Sequence, residues 1–466
     1  MTMTKAVVLG GGMAGMLAAS VLTRHADEVT IVEGDRLPDR PVPRRGLPQG
    51  YHSHMFMGGG ALALEDLLPG VLDRLYAAGA SRRGMPWNTL TLSAGGWFPR
   101  HRGDAFIVVC SRELTDHVVR QRVLESGTVE VVQSAKVVGL AGDSGRVTGV
   151  RVQDEDGERV LGADFVVDAT GRRSRAPQWL GELGVPAVEE ESVDPGLAYS
   201  TRLYRAPEGV HPDFPALLIQ PQAGTGQPGR GATLFPIEGG RWIATMTGTR
   251  GAQPPTDEAG FDAFARGQRH TMIADLLAQA EPISEVRPYK GTVNRRRHYE
   301  RLPLPEGFAV VGDAVAALNP VYAHGMSASA FGALALRGAL EDTGLKPGLA
   351  AKAQSAIAEA VETPWSMAVQ QDVAFPDVRI DNVVVPAPAP EEQEFMARLA
   401  ATSLSEPVVA NAMFGVFTLM SPASGMVTPE IQELVLRGPS RPQLTAEEAI
   451  AQFPELGGLL TPAAVR

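Results

Sequence analysis

The first apolar stretch of this chain, Lys5–Leu9 (KAVVL), runs straight into Gly10-Gly11-Gly12-Met13-Ala14-Gly15. Few folds accommodate that order. Gly10 permits a sharp turn at the end of a buried strand. Gly12 leaves the backbone open to close approach, and Gly15 lets the next helix lie tight on the sheet. Met13–Arg24 has helical composition and Glu28–Val32 reads as a second buried strand, so the chain opens as a βαβ unit of a parallel sheet. Glu33 closes the second strand, 18 residues after Gly15. A carboxylate there accepts hydrogen bonds from neighbouring ribose hydroxyls, while the helix N-terminus faces a pyrophosphate. Strand, glycines, helix, strand and acid in register predict a dinucleotide site.

Further along, Phe106–Val109 predicts a strand leading into a helix from Arg112 to about Leu124. Val129–Val132 and Val147–Val152 alternate like a strand pair, and Asp164–Val167 reads as a buried strand. The region of about 190–300 changes to antiparallel signals. Leu197–Tyr204 is strand-like, and Ala232–Ile237 and Arg241–Thr247 flank Glu238-Gly239-Gly240, a hairpin signature. Phe308–Val311 returns to a buried strand before a small-residue helix, Gly325–Leu336. Beyond it the chain is mainly helical, with an extended linker at Val383–Pro390 and a short helix or tail from Ala446. The expected fold class is α/β: a Rossmann-like domain from 1–85, 106–185 and 300–345, a mostly antiparallel sheet domain from 86–105 and 186–299, and a helical region over 346–466.

The second motif narrows the dinucleotide to FAD. The strand Phe308–Val311 ends in Gly312-Asp313, followed by Asn319-Pro320 and by His324-Gly325-Met326 at a helix start. Asp313 at a strand end suits ribityl hydroxyls, and amides near Gly325 and Met326 suit the flavin edge that gains negative charge on reduction.

These two motifs, with Cys110-Ser111-Arg112-Glu113-Leu114 between them, resemble the class A flavoprotein monooxygenases of the para-hydroxybenzoate hydroxylase fold. The resemblance runs from the N-terminus to about residue 345. It extends to the bacterial polyether-biosynthesis epoxidases of the lasalocid and monensin type through Gly46-Leu47-Pro48-Gln49 with His52 and His54, Thr292-Val293-Asn294-Arg295-Arg296, and Gly312–Ser327. It implies that Gly10, Gly12, Ala14, Gly15, Glu33, Arg45, Arg112, Asp313, Gly325 and Met326 contact FAD, and Val137 through its backbone. It also implies natural-product biosynthesis: epoxidation of an alkene in an apolar polyketide or terpenoid, using molecular oxygen carried as a flavin C4a-hydroperoxide. One departure concerns the electron source. Asp168-Ala169-Thr170-Gly171 with Arg172, Arg173 and Arg175 stands where the aromatic hydroxylases carry an Asp-Gly pair. Those arginines either meet nicotinamide phosphates or form a solvated turn, so the reductant is NAD(P)H bound transiently or a separate flavin reductase.

Alkene oxygenation needs a dry, shaped pocket more than an acid or base, and no decisive base stands out. Tyr51, His52, His54, His298, Tyr322 and His324 are candidates, and His52, His54, Tyr322 and His324 are expected near the flavin. His52 and His54 have no further Cys/His cluster to complete a metal site, so no metal is expected. Arg295-Arg296-Arg297 reads either as part of the site or as a solvated charge run, the second favoured for Arg297. The middle sheet is expected to cover substrate and the C-terminal helices to close the pocket. The rival readings are a phenol hydroxylase, an isoprenoid reductase, a halogenase (whose Trp-x-Trp-x-Ile-Pro signature is absent) and a non-catalytic prenyl-binding chaperone.

Charge excludes one class of partner. Asp+Glu 53 against Lys+Arg 42 gives −11, a chain that repels phosphate backbones, so no nucleic acid is expected. The 466 residues form a core large enough to need no disulfide, and Cys110 is the sole cysteine, as suits a reducing cytoplasm. No leader or membrane anchor is expected: the apolar stretch Phe308–Leu336 contains Asp313, Asn319 and His324 and reads as core.

Overall fold

The structure, a computed structural model, describes residues 3–387 and 389–460. Its centre is a five-stranded, wholly parallel sheet in the order Phe308–Val310, Phe165–Asp168, Lys5–Leu9, Glu28–Val32, Val129–Val132. The first three of these strands are covered on both faces, which is why they read as unbroken apolar runs. The register decides what the sheet can do. Leu9 pairs with both Asp168 and Val32, Asp168 with Val310, and Val32 with Val132, so all five strands end at one level. Helices Met13–Leu22, Gly58–Leu67 and Gly325–Thr343 pack through small residues. A Cβ on Gly60 would stand 2.1 Å from Ser327 Oγ, so only glycine permits that approach.

One expectation fails here. Val129–Val132 and Val147–Val152 are not partners. The first is the edge of the parallel sheet, and the second, extended to Val147–Asp154, is the middle of an antiparallel sheet with Lys136–Gly142 and Gly157–Gly162. Both alternate because both are half-covered, and alternation alone does not name a partner.

The second large sheet has seven strands. Six follow the order Glu281–Pro282, Ala198–Arg205, Arg241–Gly248, Arg230–Ile237, Ala216–Ile219, Thr89–Leu92, and Arg287–Tyr289 pairs with Ala198–Arg205. Its central hairpin turns at Glu238-Gly239-Gly240 with φ of +74° and +65° at the glycines, the left-handed pair that a twisted hairpin favours. Period-two alternation divides this sheet. Leu234, Trp242, Ala244 and Met246 face helices Glu258–Arg266 and Met272–Leu277. Tyr199, Thr201, Thr233, Thr245 and Thr247 lie on the opposite face.

The C-terminal part is helical, as expected. The Val383–Pro390 stretch has no regular structure up to residue 387, Pro388 lies outside the described residues, and Pro390 begins helix Pro390–Ser403. The expected final helix is Ala446–Ala451, and 461–466 lie outside the described residues. It packs onto the antiparallel sheet, where Arg100 binds Glu455 at 2.6 Å and the Gln452 carbonyl at 2.7 Å. Among the described residues no helix is long and apolar enough to cross a membrane.

The antiparallel sheet's core centres on Trp242, 1% exposed and stacked on Phe214 at 4.8 Å between ring centroids. Trp242→Ala is expected to cost about 3–5 kcal/mol of stability in urea unfolding. A loss below about 1 kcal/mol would mean the cavity collapses and the ring is not the keystone of that layer.

Candidate functional site

Because the parallel strands end level, the residues after each of them meet at one rim, where open α/β sheets bind ligands. A cavity of about 750 Å³ lies there. Gly10 turns at φ +95°, and a Cβ on it would stand 2.8 Å from the Ala169 carbonyl oxygen. A Cβ on Gly15 would lie 1.8 Å from the Gly10 carbonyl oxygen, so Gly15 does not line the cavity but brings the helix down onto the turn. Gly12 does line it, and a Cβ there would meet no atom within 4 Å: its open side is the cavity.

Glu33 is more engaged than its position in the sequence suggests. Its Oε2 accepts from the Gly11 amide at 2.7 Å and from Arg44 at 3.1 Å, and its Oε1 accepts from the Asp35 amide at 2.9 Å. A carboxylate has about four acceptor positions, so one on Oε1 stays free for a ribose hydroxyl. Arg44, which sequence reading did not single out, also donates to the Gly11 carbonyl and pairs with Asp116 at 3.3 Å, stapling the glycine turn to helix Arg112–Leu124. The only sequence signal for it is the doublet Arg44-Arg45. Arg45 itself is exposed at the cavity rim.

Arg112 and Asp313 are the unsatisfied pair of the site. Ser111 caps the Arg112–Leu124 helix by accepting from the Leu114 amide. This places Arg112, 6% exposed, against the cavity. Its Nε is buried with no hydrogen-bond partner, and no carboxylate lies within 4 Å of the guanidinium among the described residues. Burial pulls its pKa down, opposed by the charge of Asp116. Asp313 also lines the cavity without a hydrogen bond among the described residues, and burial pushes its carboxyl up against the pull of Arg172, Arg112 and Arg295. Gly312, at φ +64°, joins the two motifs, since a Cβ there would lie 2.6 Å from the Ala14 Cβ. Gly325 and Met326 begin a 19-residue helix pointing its N-terminus into the cavity. Val137 lines the far end beside Lys136. An open glycine backbone, an unpaired buried guanidinium, a free carboxylate and a helix N-terminus together fit a diphosphate-linked flavin.

The other wall comes from the antiparallel sheet. Thr201, Thr245 and Thr233 stand directly opposite one another across three strands. Their hydroxyls continue into the 52–54 segment: His52 Nδ1 to Thr201 at 2.8 Å, Thr201 to Thr245 at 2.7 Å, Thr245 to Ser53 at 2.7 Å, and Thr233 to Ser53 at 3.4 Å. Tyr199 and Tyr289 close on the His52 ring at 4.6 and 5.5 Å. His54 Nδ1 lies 2.8 Å from the His52 carbonyl, so it must donate, leaving Nε2 an unprotonated acceptor. Burial, then the charges of His54 and Arg287, lower His52 to about 3. Burial, then Arg112, lowers His54 to about 4. Sequence reading did not find the threonines or tyrosines, and the alternation Ile243-Ala244-Thr245-Met246-Thr247 on a hairpin strand is the signal that pointed there.

Several expected placements change. Tyr322 and His324 do not line the cavity. Tyr322 donates to Asp372 at 2.5 Å, and His324 Nε2 donates to the Phe417 carbonyl at 3.1 Å. His298 lies between Glu300 and Glu191, and Tyr51 stacks under Arg287 at 4.3 Å; neither lines the cavity. Arg295-Arg296-Arg297 is not a solvated run. Arg297 is 8% exposed and donates to Glu190 and the Ser174 carbonyl, and Arg296 pairs with Glu362. Their strand is sandwiched between Glu190–Asp194 and Ala316–Ala317, and runs of like charge reach the interior only where carboxylates meet them. Arg172 is likewise spent on the Val293 and Leu318 carbonyls, both at 2.6 Å, whereas Arg173 and Arg175 are exposed on the rim. The C-terminal helices do not close the pocket: every lining residue precedes residue 330. Among the described residues no cluster of three or more His, Cys, Asp or Glu could hold a metal.

Residues 3–342 match the FAD binding domain family, and the chain belongs to it. Its cofactor is FAD. Protein Rv3254 of Mycobacterium tuberculosis is 32% identical over 388 residues, covering 79% of this chain and 80% of that protein. Digeranylgeranylglycerophospholipid reductase 2 of Methanopyrus kandleri is 25% identical over 330 residues, covering 69% and 73%. Among solved structures, p-nitrophenol 4-monooxygenase PnpA from Pseudomonas putida superposes with a TM-score of 0.60 at 17% identity over 93% of this chain and 98% of that one. The fold is thus that of the para-hydroxybenzoate-hydroxylase-type flavoproteins.

Arg112→Met is expected to act oppositely on two measurements. It removes an unpaired buried charge, so the apoprotein melts higher. It removes a charge-assisted hydrogen-bond donor worth about 1.5–3 kcal/mol, so FAD binds roughly 10- to 100-fold more weakly in a fluorescence titration. An unchanged FAD affinity would take Arg112 out of the site.

His324 is held at about 4 by burial, below its ordinary 6.5. The unfolded chain therefore binds more protons, and the stability that His324 contributes is complete above about pH 6.5 and falls as pH drops toward 4. His324→Gln is expected to flatten that decline by up to about 1.4 kcal/mol per pH unit in urea titrations. An unaltered slope would show that His324 is charged in the native state.

Proposed function

We propose that this protein is an FAD-dependent monooxygenase that epoxidises a carbon–carbon double bond of a largely apolar polyketide or terpenoid intermediate, as in polyether biosynthesis. Segments 1–85, 106–185 and 300–345 hold FAD. Gly10, Gly12, Ala14 and Arg112 face its phosphates, Glu33 and Val137 its adenosine half, and Asp313, Gly325 and Met326 its flavin half. Arg45 would serve from the rim, and Gly15 acts by packing. Segments 86–105 and 186–299 hold the substrate. Bound FAD, reduced by NAD(P)H or by a separate flavin reductase, supplies the activation of molecular oxygen. One oxygen atom goes to the alkene and the other leaves as water.

The observation that carries this reading is the neutrality of the substrate wall. Every charged residue lining the cavity belongs to the FAD-binding segments, while the sheet contributes only Tyr199, Thr233, Phe235, Thr245, Thr247 and Tyr289. His52 and His54 stay uncharged at neutral pH. Such a wall orients a neutral substrate without an ionised base, and alkene oxygenation needs no ionised base.

A second reading, phenol hydroxylation, is favoured by one specific observation. Thr233, Ser53 and Thr245 bring linked hydroxyls to the cavity wall, groups that hydrogen-bond a phenolic hydroxyl and orient its ring. Turnover under heavy-isotope oxygen separates the two. With FAD, flavin reductase, NADH and a panel of trisubstituted olefins and prenylated phenols, the epoxidase gives one heavy oxygen with loss of the alkene. Label on the ring with the alkene intact would establish the hydroxylase instead, and alkene reduction without label would point to an isoprenoid reductase.

A further inference from the structure

The segment 318–326 carries Leu318, Pro320, Val321, Ala323, Gly325 and Met326 into the cavity, yet between strand Ala316–Ala317 and the helix that starts at Gly325 it has only the single 3-10 turn Pro320–Tyr322 and passes through a left-handed residue, Ala323 at φ 56°. Something outside it must fix its shape. Two anchors do so, and both come from beyond residue 342, where the match to the FAD binding domain family ends. At the far end the Phe417 carbonyl accepts from His324. At the near end stands Asp372, the last residue of helix Glu362–Asp372 and 1% exposed.

Asp372 is an unusual residue to keep in a core. Its Oδ2 accepts from Asn294 Nδ2 at 2.6 Å and from Asn319 Nδ2 at 2.8 Å, and its Oδ1 accepts from the Tyr322 hydroxyl at 2.5 Å. Asn294 Oδ1 in turn accepts from the Asn319 amide at 2.6 Å, and Asn319 Oδ1 accepts from the Val321 amide at 3.2 Å. No Lys or Arg lies within ion-pair distance of the carboxylate among the described residues. Burial pushes it up to about 6, opposed by the donors Asn319, Tyr322 and Asn294. An uncompensated buried carboxylate is costly, and three neutral donors do not make it a stability device, since an apolar cluster would serve as well. What the carboxylate provides is direction: three donors from two segments converge on one group and admit one loop geometry.

We propose that Asp372 is a positioning residue for the flavin, holding segment 318–326 against bound FAD from a helix that does not itself line the site. The C-terminal region thus buttresses the cofactor from behind. The inference rests on the FAD reading of the cavity and names a residue that reading does not contain.

The test uses the FAD-loaded full chain, wild type beside Asp372→Asn, Tyr322→Phe and the exposed neighbour control Gln371→Ala. Four quantities are read: FAD bound per chain, the visible flavin spectrum, the flavin midpoint potential, and amide exchange across 318–326. With Asp372 as positioner, both site variants retain FAD, shift the flavin bands and potential, and exchange about tenfold faster in 318–326. Strand Lys5–Leu9 and the control stay at wild-type values. Tyr322→Phe removes one hydroxyl only, so it keeps the test open where Asp372→Asn fails to fold. Variants that melt lower yet match wild type in spectrum, potential and loop exchange would reduce Asp372 to a structural role and overturn the proposal. A wild-type chain that takes up no FAD would sink the cofactor reading and this proposal with it.

Discussion

The level ending of the parallel strands governs this molecule. Leu9, Val32, Asp168 and Val310 stop at one height because hydrogen-bond pairing sets their register, and everything functional hangs from that edge. The ladder is continued one residue further by Gly10 donating to Val32, Ala169 to Leu9 and Val311 to Asp168. A slip of one residue in any strand would turn its buried side chains outward and carry Glu33 or Asp313 away from the rim. The glycines are subordinate to this constraint. Gly10 and Gly15 approach so closely because the strand above them has already stopped.

On that edge the chain keeps charges it does not neutralise. Its other buried cations are paired, including one on the same rim: Arg44 with Glu33 and Asp116, Arg120 with Asp116, Arg297 with Glu190. Arg112 and Asp313 lack such partners, and both are shifted toward their neutral forms by burial. Unpaired buried charge is the least economical thing a fold can hold, and its concentration at one cavity is the physical mark of a site completed by a ligand. The substrate wall is built differently. Its threonines satisfy one another across three strands, leaving a surface that is polar in composition but neutral and already hydrogen-bonded.

The helical C-terminal region takes a role that its position after the second motif does not suggest. It closes nothing over the cavity. It reaches behind the segment before helix Gly325–Thr343 with Asp372 and Phe417, and it clasps the antiparallel sheet through Arg100, Gln452 and Glu455. The two layers that enclose the cavity are thereby tied by a part of the chain that does not touch it.

Local pattern and spacing determined the first βαβ unit, the Gly-Asp motif and the Glu238-Gly239-Gly240 hairpin, because each depends on residues adjacent in the chain whose geometry admits few alternatives. The same holds for the presence of Gly12 and Asp313 at the cavity, whereas Arg112 is reached only through the family resemblance. Only the tertiary structure decided the rest. Partner choice for Val129–Val132 depends on which strand lies alongside, and the choice of Arg44 over Arg45 depends on which guanidinium points at Glu33. The burial of Arg296 and Arg297 depends on Glu362 and Glu190, remote carboxylates that no run of three arginines announces. Tyr322 and His324 sit beside the second motif in sequence, yet their side chains turn to Asp372 and Phe417, about 50 and 90 residues on. Nearest-neighbour chemistry is written along the chain, whereas the partner of a buried charge or hydroxyl is set by packing between segments far apart in it.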